Sequence, residues 1–444
     1  MNFTARFLKK FVKWTFIFFG GLVAIALIAN ACFVCVTDSR LDQRRAAIRE
    51  AGDPVSLSEI HFDTVPTDQN AVTYLRRAKE DLRAMGTEID GKSIQGFDEH
   101  SPTVLKATKS AVAAYPKVLP LLEKAAECPG YSVKNIFGPT GKCNTATMVE
   151  AMLPRVQYNR SIARFLGGHW PRLLVSEGKT DEAVRADIAM LKLTRHYDRE
   201  PALVGVLVAL ACRGVALDSL NEALQSGPVS DDVRQQLDDE LAKHNLNKTL
   251  RNALKSERLF AFEYEMGGSG WLTRGIGNLM KLDHIDSVNW FLDQIPEDAA
   301  GFINEDYATE PPKTKFGPSI VPALEATISA VKRNKSKINA IRVLNALQRR
   351  ADPEALPAAD LSDLGLPKEA TIDYFNGKPL LVKKVPGGWL VYSVGLNQKD
   401  DGGKINGEDD REPLDSGYGP FKKTTDKLQE QNAPLSQKSS FKTD

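Results

Sequence analysis

Residues 180–224, with the sequence TDEAVRADIAMLKLTRHYDREPALVGVLVALACRGVALDSLNEAL, decide the fold of this chain. Thr180-Asp181-Glu182 has the composition of a helix start. Apolar residues then recur at helical spacing: Ala183, Ile188, Leu191 and Leu193. Pro201 can open a second helix that reaches Leu224, and this helix is apolar on nearly all sides. The stretch therefore predicts two consecutive helices, of which the second lies in the buried centre of a bundle.

Helical patterns continue on both sides of this pair. We predict helices that begin at Ser101-Pro102, run from Met148 to Leu166, follow the capping residue Ser230, and run from Lys248 toward Glu265. One stretch has roughly the spacing of a tetratricopeptide unit: Ala163, Leu166-Gly167, Trp170, Gly178, Ala183 and Leu191. Because a solenoid needs at least about three such units, we interpret this stretch as a single helical hairpin.

The period of the pattern changes near the C-terminus. A last amphipathic helix is predicted from Ile320 to Arg350, and its cationic side is interpreted as solvated: Lys332, Arg333, Lys335 and Lys337. Residues 379–385 and 389–394 then flank Pro386-Gly387-Gly388, which predicts a β-hairpin. The predicted fold class is mainly α, an antiparallel helical bundle or hairpin stack with a small C-terminal β-hairpin and one N-terminal transmembrane helix.

The transmembrane prediction rests on the N-terminus. Trp14 to Val36 form a stretch of 23 residues without a charge, long enough as a helix to cross a hydrocarbon core of about 30 Å. Four basic residues and no acidic residue precede it: Arg6, Lys9, Lys10 and Lys13. Their clustering favours an N-terminus inside the cell, one pass through the inner (cytoplasmic) membrane and a bulk of the chain outside the cytoplasm. Two alternatives stay open, namely a signal peptide cleaved after Ala31 and a lipid anchor on Cys32.

These patterns divide the chain into six parts. They are a basic cytoplasmic N-terminus (1–13), a transmembrane anchor (14–36), a linker (37–66), a helical domain (67–350), a small β element (351–411) and a disordered tail (412–444). The tail is predicted to be disordered because it is polar, rich in turn residues and nearly free of aliphatic periodicity.

Two of the five cysteines flank a segment rich in glycine and proline. In an oxidising compartment, Cys128 and Cys143 can close a disulfide-bonded loop of about 15 residues, which would stabilise the fold by about 3 kcal/mol. Two unpaired thiols are the alternative. We predict no metal site here, because neither cysteine has a partner at C-x-x-C spacing or a nearby pair of histidines.

The last strands of the chain and the loop after them resemble a known family. The matching positions are Asp373, Asn376-Gly377, Pro379, Tyr392-Ser393, Gly395, Asn397 and Asp400-Asp401-Gly402-Gly403. This stretch resembles the C-terminal end of type II secretion major pseudopilins, from which it departs at Tyr374, where proline is usual. The resemblance implies a calcium ion bound by Asn397, Asp400 and Asp401. An exposed acidic turn is the alternative interpretation.

The layout of the whole chain is similar to that of uncharacterised bacterial signal-anchored helical proteins. The shared features are the N-terminal anchor, Ala51-Gly52-Asp53-Pro54, Asn70-Ala71 at a helix start, and the YSVG and DDGG segments near the end. This resemblance spans most of the chain and implies no known activity.

Composition and motifs give no sign of nucleic-acid binding or of catalysis. Lysine plus arginine (58) nearly balance aspartate plus glutamate (57), so the overall charge does not favour nucleic acid. The glycine-rich segment at 266–271 lacks the Lys-Ser/Thr of a P-loop. His196, Asp198 and Glu200 form the densest polar cluster, which we interpret as a surface helix end rather than a catalytic site. We therefore assign no catalytic or cofactor-binding residue, and calcium is the one cofactor considered.

The leading functional hypothesis from the sequence is a membrane-anchored extracytoplasmic scaffold or protein-interaction module of the cell envelope. Its expected partners are the membrane, through the N-terminal helix, and a protein of unknown identity. Helix stacking and the lack of catalytic signatures favour this hypothesis. One alternative is an envelope or secretion accessory with a calcium-stabilised, pseudopilin-like end. The other is a hydrolase whose site local motifs do not reveal.

Overall fold

The computed structural model describes residues 2–56, 59, 64–91, 101–132, 145–200, 202–263, 270–303, 312–315, 320–350, 352, 355–405 and 414–420. These parts are mainly helical and end in a small antiparallel sheet, which confirms the predicted fold class. The helices are α1 (Asn2–Glu50), α2 (Ala71–Asp90), α3 (Pro102–Ala114), α4 (Val118–Glu127), α5 (Thr145–Arg164), α6 (Trp170–Ser176), α7 (Thr180–Tyr197), α8 (Leu203–Ser226), α9 (Asp231–Leu241), α10 (Leu246–Glu263), α11 (Arg274–Gln294) and α12 (Val321–Gln348). The strands are β1 (Leu381–Val385), β2 (Gly388–Ser393) and β3 (Ser416–Tyr418).

α8 lies at the centre of the helical stack, in contact with α5, α6, α7, α10 and α12. Leucines spaced by seven residues along this helix are all buried: Leu203, Leu210, Leu217 and Leu224. Because apolar side chains cover nearly every side of α8, the helix is stable only where other helices surround it. The predicted buried central helix is therefore confirmed.

The stretch with tetratricopeptide-like spacing forms one helical hairpin. A π-helical turn, Phe165–His169, joins α5 to α6, and Glu177-Gly178-Lys179 then turns the chain back into α7. Gly178 has a φ of 75°, a left-handed conformation that glycine adopts without a steric penalty. Trp170 is partly buried, and four other apolar members of the pattern are buried between the helices: Ala163, Leu166, Ala183 and Leu191.

The C-terminal sheet contains one strand more than the sequence predicts. β1 and β2 form the predicted hairpin, with Leu381 opposite Tyr392 and Val385 opposite Gly388. β3 pairs with the other edge of β2, and both of these strands pack on α12. The prediction of a disordered tail from residue 412 is therefore wrong for residues 416–418. This short segment is ordered by pairing with a distant strand, which leaves no periodic signal in the local sequence.

The cationic side of α12 is also less solvated than predicted. Lys332 is 1% exposed and Lys335 is 6% exposed. The Lys335 ammonium lies 3.8 Å from the ring centroid of Tyr374 and donates hydrogen bonds of 3.0 Å to the side-chain oxygen of Asn247 and to the carbonyl of Gly301. The loop before residue 303 and the start of the β element cover this side of the helix, so the predicted solvated side is wrong for these two lysines.

α1 is one continuous helix of 49 residues, so the first part of the predicted linker is helical as far as Glu50. The apolar stretch of α1 is exposed, whereas Leu41 and Ile48 belong to a small apolar cluster with residues of α10 and α11. Among the described helices, α1 and the largely buried α8 are long and apolar enough to cross a membrane.

Candidate functional site

A polar cavity lies where the end of α4, the end of α7 and the turn between α9 and α10 meet. Its volume is about 720 Å³. Charged and polar residues dominate its lining: Glu127, Cys128, Tyr131, Lys192, Arg195, His196, Asp198, Arg199, Glu240, Lys243, Asn245, Lys248, Thr249 and Asn252. We call this cavity the α7–α10 pocket.

Cations outnumber carboxylates around the α7–α10 pocket. Its lining carries five lysine or arginine side chains and three carboxylates. Glu240 accepts two hydrogen bonds from the Arg195 guanidinium, one of them 3.1 Å long, and also lies 3.6 Å from the Lys243 ammonium. Within the described residues, Arg199 and Lys248 are exposed and form no ion pair. The pocket therefore presents uncompensated positive charge to solvent.

The N-terminus of α10 adds to this positive potential. Asn245 caps the helix by accepting a 2.9 Å hydrogen bond from the backbone N–H of Lys248. Unpaired N–H groups and the aligned peptide dipoles give a helix N-terminus a partial positive charge. Since Asn245 and Lys248 both line the pocket, this charge acts in the same direction as the side-chain cations.

A buried arginine, Arg213, fixes the position of Asp198 at the floor of the pocket. Arg213 of α8 is fully buried, and its Nη2 donates a 2.6 Å hydrogen bond to Oδ2 of Asp198. Its Nε donates to Nδ1 of His244 at 3.2 Å. Burial, followed by the charge of Arg213, lowers the pKa of His244 well below its usual value, so this ring is neutral and can accept that hydrogen bond.

His196 is buried, which corrects the expectation of a surface helix end. Only 6% of this residue is exposed, and its ring stacks on Tyr131 with centroids 5.7 Å apart. Burial, with the charges of Arg199 and Arg195 as further causes, lowers the pKa of His196 to about 4. The imidazole is therefore neutral at pH 7.

The side chains of the predicted polar cluster, His196, Asp198 and Glu200, do not converge on one place. The Asp198 carboxylate bonds to Arg213 below the pocket. Glu200 instead accepts a 2.8 Å hydrogen bond from the Tyr131 hydroxyl and lies 3.4 Å from the Arg155 guanidinium. Both carboxylates thus bond to structural partners, and no hydrogen bond in the described structure joins either of them to His196.

Cys128 at the rim of the pocket is not an activated nucleophile. Its thiol donates to the carbonyl of Lys124 at 3.2 Å, and burial raises its pKa. Nucleophilic cysteines have a lowered pKa, because the thiolate is the reactive form. Cys143, its predicted disulfide partner, lies outside the described residues, so the pairing stays a prediction.

The acidic loop after β2 is held together by its own hydrogen bonds. Asp400 accepts from the Tyr392 hydroxyl at 3.0 Å and from the backbone N–H of Gly402 at 2.8 Å. The Asn397 amide donates to Asp401 at 2.7 Å. Asp415, which sequence reasoning missed, enters the same loop and accepts from the N–H groups of residues 403 and 404.

These hydrogen bonds involve the three predicted calcium ligands and do not test whether the loop binds calcium. Asn397, Asp400 and Asp401 lie within one turn and spend polar atoms on stabilising it. Across the described ranges, no three His, Cys, Asp or Glu side chains are grouped as metal ligands would be. The calcium site therefore stays a prediction from the family resemblance.

Sequence reasoning missed most of the α7–α10 pocket. The local sequence contains no motif around three of the pocket's charged residues, Glu240, Lys243 and Lys248. They converge only because of how the helices pack. A signal did exist for the pocket floor: Arg213 interrupts the apolar run VALACRGVAL of α8. A charge inside an otherwise apolar, buried helix requires a partner.

Comparisons with models of protein families, with curated proteins and with solved structures gave no significant match. The geometry of this chain must therefore support any assignment of function by itself.

Proposed function

We propose that this protein is a membrane-anchored helical interaction module that binds an acidic segment of a partner protein in the α7–α10 pocket. The observation that carries this proposal is the surplus of cations around the pocket, five against three carboxylates, with Arg199 and Lys248 free of ion pairs in the described structure. Complementary charge steers association and selects partners, so an acidic segment is the expected ligand.

The lining of the pocket favours a peptide segment over a small organic molecule. Small-molecule sites are mostly apolar with a few polar groups, whereas the lining here is mostly charged or polar. Carboxylates of a partner would meet Arg199, Lys248 and the α10 N-terminus without displacing an existing ion pair. The partial positive charge of a helix N-terminus favours such anions.

α1 supplies the membrane anchor of this proposal. Its apolar stretch is exposed along its length, and the basic residues before that stretch favour a cytoplasmic N-terminus. The helical domain and its pocket then lie on the outer side of the inner membrane. An acidic partner would be recruited to the membrane surface rather than held in solution.

The alternative of a hydrolase receives less support from the pocket. A nucleophile beside a base is required for covalent hydrolysis. Cys128 has a raised pKa, and no hydrogen bond in the described structure joins His196 to a carboxylate that would orient it. The secretion-accessory alternative rests on the family resemblance of the acidic loop.

Cross-linked affinity purification of the full chain from membranes tests the proposed function. The double variant Arg199→Glu with Lys248→Glu reverses the free charge of the pocket. Lys106→Glu with Lys368→Glu makes the same charge change at exposed lysines elsewhere and serves as the matched control. We expect the wild type and the control to retain the same partner, cross-linked through an acidic segment, and the pocket variant to lose it. Retention of that partner by the pocket variant would overturn the proposal.

A further inference from the structure

Exposed apolar side chains occur in the turn before α11 and in the first turn of that helix, beside the apolar stretch of α1. Trp271 is 49% exposed, Leu272 is 63% exposed and Ile276 is 47% exposed. Most other large, exposed apolar side chains in the described ranges belong to α1 itself. A group of exposed apolar side chains beside another apolar surface is typical of a contact with an apolar phase or partner.

The register between α1 and α11 locates this surface relative to the predicted membrane span. Three contacts set the register: the Phe33 ring packs on Gly275, the Asn278 amide donates to the Thr37 hydroxyl at 3.2 Å, and Arg44 pairs with Asp286 at 2.8 Å. Because residue numbers rise together in both helices, α1 and α11 are parallel. The N-terminal end of α11 therefore lies beside the part of α1 where the apolar stretch ends.

The turn before α11 lies on the N-terminal side of the end of that apolar stretch. The Asn30 amide donates a 3.2 Å hydrogen bond to the carbonyl of Trp271. Asn30 precedes Val36, the last residue of the apolar stretch, by about 9 Å along the helix axis. Trp271 and Leu272 thus lie at a depth where the surface of α1 is still apolar.

A polar contact lies on the domain side of this apolar surface. Arg274 pairs with Asp38 at 3.0 Å, two residues beyond the end of the apolar stretch of α1. The long arginine side chain can keep its charge at the water side while its methylene groups cover apolar surface. The apolar-to-polar boundary is therefore at the same height on α1 and on the start of α11.

We propose that Trp271, Leu272 and Ile276 enter the lipid bilayer beside α1, so that the helical domain contacts the membrane at a second place. The bilayer is the occupant because this surface is continuous with the apolar stretch of α1. Tryptophan at the bilayer interface is the expected residue type, since its ring is apolar and its N–H finds polar partners. This inference rests on the proposed insertion of α1.

Two membrane contacts restrict the domain more than α1 alone would. A single helix lets the domain rotate about the helix axis in the plane of the bilayer. With the start of α11 also embedded, one side of the domain faces the lipid permanently. The bilayer contact therefore fixes which side of the protein is open to partners.

Quenching of tryptophan fluorescence by brominated lipids tests this inference in the full chain. The protein is reconstituted into phosphatidylcholine bilayers with and without bromine on the upper acyl chain. The emission of single tryptophans is obtained by subtracting the spectra of Trp271→Phe, Trp14→Phe and Trp389→Phe from that of the wild type. Trp14 lies on α1, and Trp389 is only 3% exposed in the C-terminal sheet, so they are the positive and negative controls.

The expected result is a loss of emission for Trp271 and Trp14 in brominated bilayers, with Trp389 unchanged. Quenching of Trp14 without quenching of Trp271 would overturn the second contact while leaving the anchor intact. Absence of quenching for both tryptophans would overturn the insertion of α1 together with the second contact. A Leu272→Ser variant provides a further check, because reduced quenching of Trp271 with unchanged quenching of Trp14 shows that both residues share one insertion.

Discussion

Arg213 of α8 and Asp198 at the end of α7 form a salt bridge of 2.6 Å although none of the arginine side chain reaches solvent. The pair joins the central helix to the floor of the α7–α10 pocket. Burial raises the pKa of Asp198, and the charge of Arg213 acts against that rise. A buried ion pair of this kind gives little net stability, but loss of one partner leaves the other charge buried and unpaired.

We therefore expect Arg213→Met to lower the free energy of unfolding by about 3–5 kcal/mol, because Asp198 would lose its cation in a site of low polarity. Urea unfolding in detergent, followed by circular dichroism, measures this effect. Arg164→Ala removes the exposed Arg164–Asp90 pair and is the matched control, with an expected cost below about 1 kcal/mol. Equal costs for the two variants would contradict this account of the pair.

Because Asp187 of α7 is buried, we expect the free energy of unfolding to fall as pH rises. This residue is fully buried, and burial raises its pKa well above the usual value, with Glu222 acting in the same direction and Ser219 and Arg172 against it. Above about pH 4 the unfolded chain releases this proton while the folded chain keeps it, which costs about 1.4 kcal/mol per pH unit up to the folded-state pKa.

Asp187→Asn should remove this cost. We expect the variant to be more stable than the wild type at pH 8 and the difference to shrink toward pH 4. Thermal unfolding across this range measures it, and the exposed Asp239→Asn serves as the control with no pH-dependent gain. A difference between Asp187→Asn and wild type that is constant with pH would count against a raised pKa.

Because Lys335 of α12 is buried, we expect it to make the free energy of unfolding rise with pH, the opposite of the effect of Asp187. Burial lowers its pKa to about 7, and Lys332 contributes in the same direction while Asp298 opposes it. Between about pH 7 and pH 10 the unfolded chain holds a proton that the folded chain has released, so stability gains about 1.4 kcal/mol per pH unit from this group.

The Lys335→Met variant should lack that gain. Chemical unfolding at pH 7, 8 and 9 would show a steeper rise of stability for the wild type than for the variant. Lys368→Met, at an exposed lysine, should follow the wild type. Parallel curves for Lys335→Met and wild type would show that this ammonium keeps its ordinary pKa in the folded protein.

Gly417 in β3 and Gly214 in α8 should respond to alanine in opposite directions. A Cβ on Gly417 would overlap the backbone carbonyl of Val391, so Gly417→Ala should cost about 1–3 kcal/mol by displacing β3. A Cβ on Gly214 would meet no atom within 4 Å, so Gly214→Ala should stabilise α8 by about 0.5–1 kcal/mol. Melting temperatures of the two variants decide this, and a fall for both would show that α8 has less space than the structure indicates.

Local signals in the sequence predict the helices well. Ser101-Pro102 is an example, because Ser101 accepts the 3.3 Å hydrogen bond from the Val104 N–H that its cap composition predicts and Pro102 occupies the first turn. The apolar period likewise identifies α7 and α8, since a helix with such a pattern must bury it. A helix cap, the helical spacing of apolar residues and a turn glycine each depend on a few neighbouring residues. They can therefore be recognised without the rest of the chain.

The positions of polar groups could not be predicted in the same way. His196 and Lys335 belong to surfaces that become buried only when distant segments cover them, residues 126–131 in one case and residues near 301 and 374 in the other. β3 is ordered by β2, which precedes it by more than twenty residues. Burial of a charge and pairing of an edge strand are properties of tertiary packing, which single-sequence periodicity does not encode.

The continuity of α1 gives the protein a mechanical property. From Leu22 to Glu50 the helix contains neither glycine nor proline, the residues at which helices most often bend. A membrane helix longer than the local hydrocarbon layer tilts to bury its apolar length. Because α1 continues without a break into the apolar cluster with α10 and α11, we expect a tilt of the proposed membrane helix to rotate the whole domain with it. Bilayers of different thickness would then present the α7–α10 pocket at different angles, which fluorescence energy transfer from the domain to the membrane surface can measure.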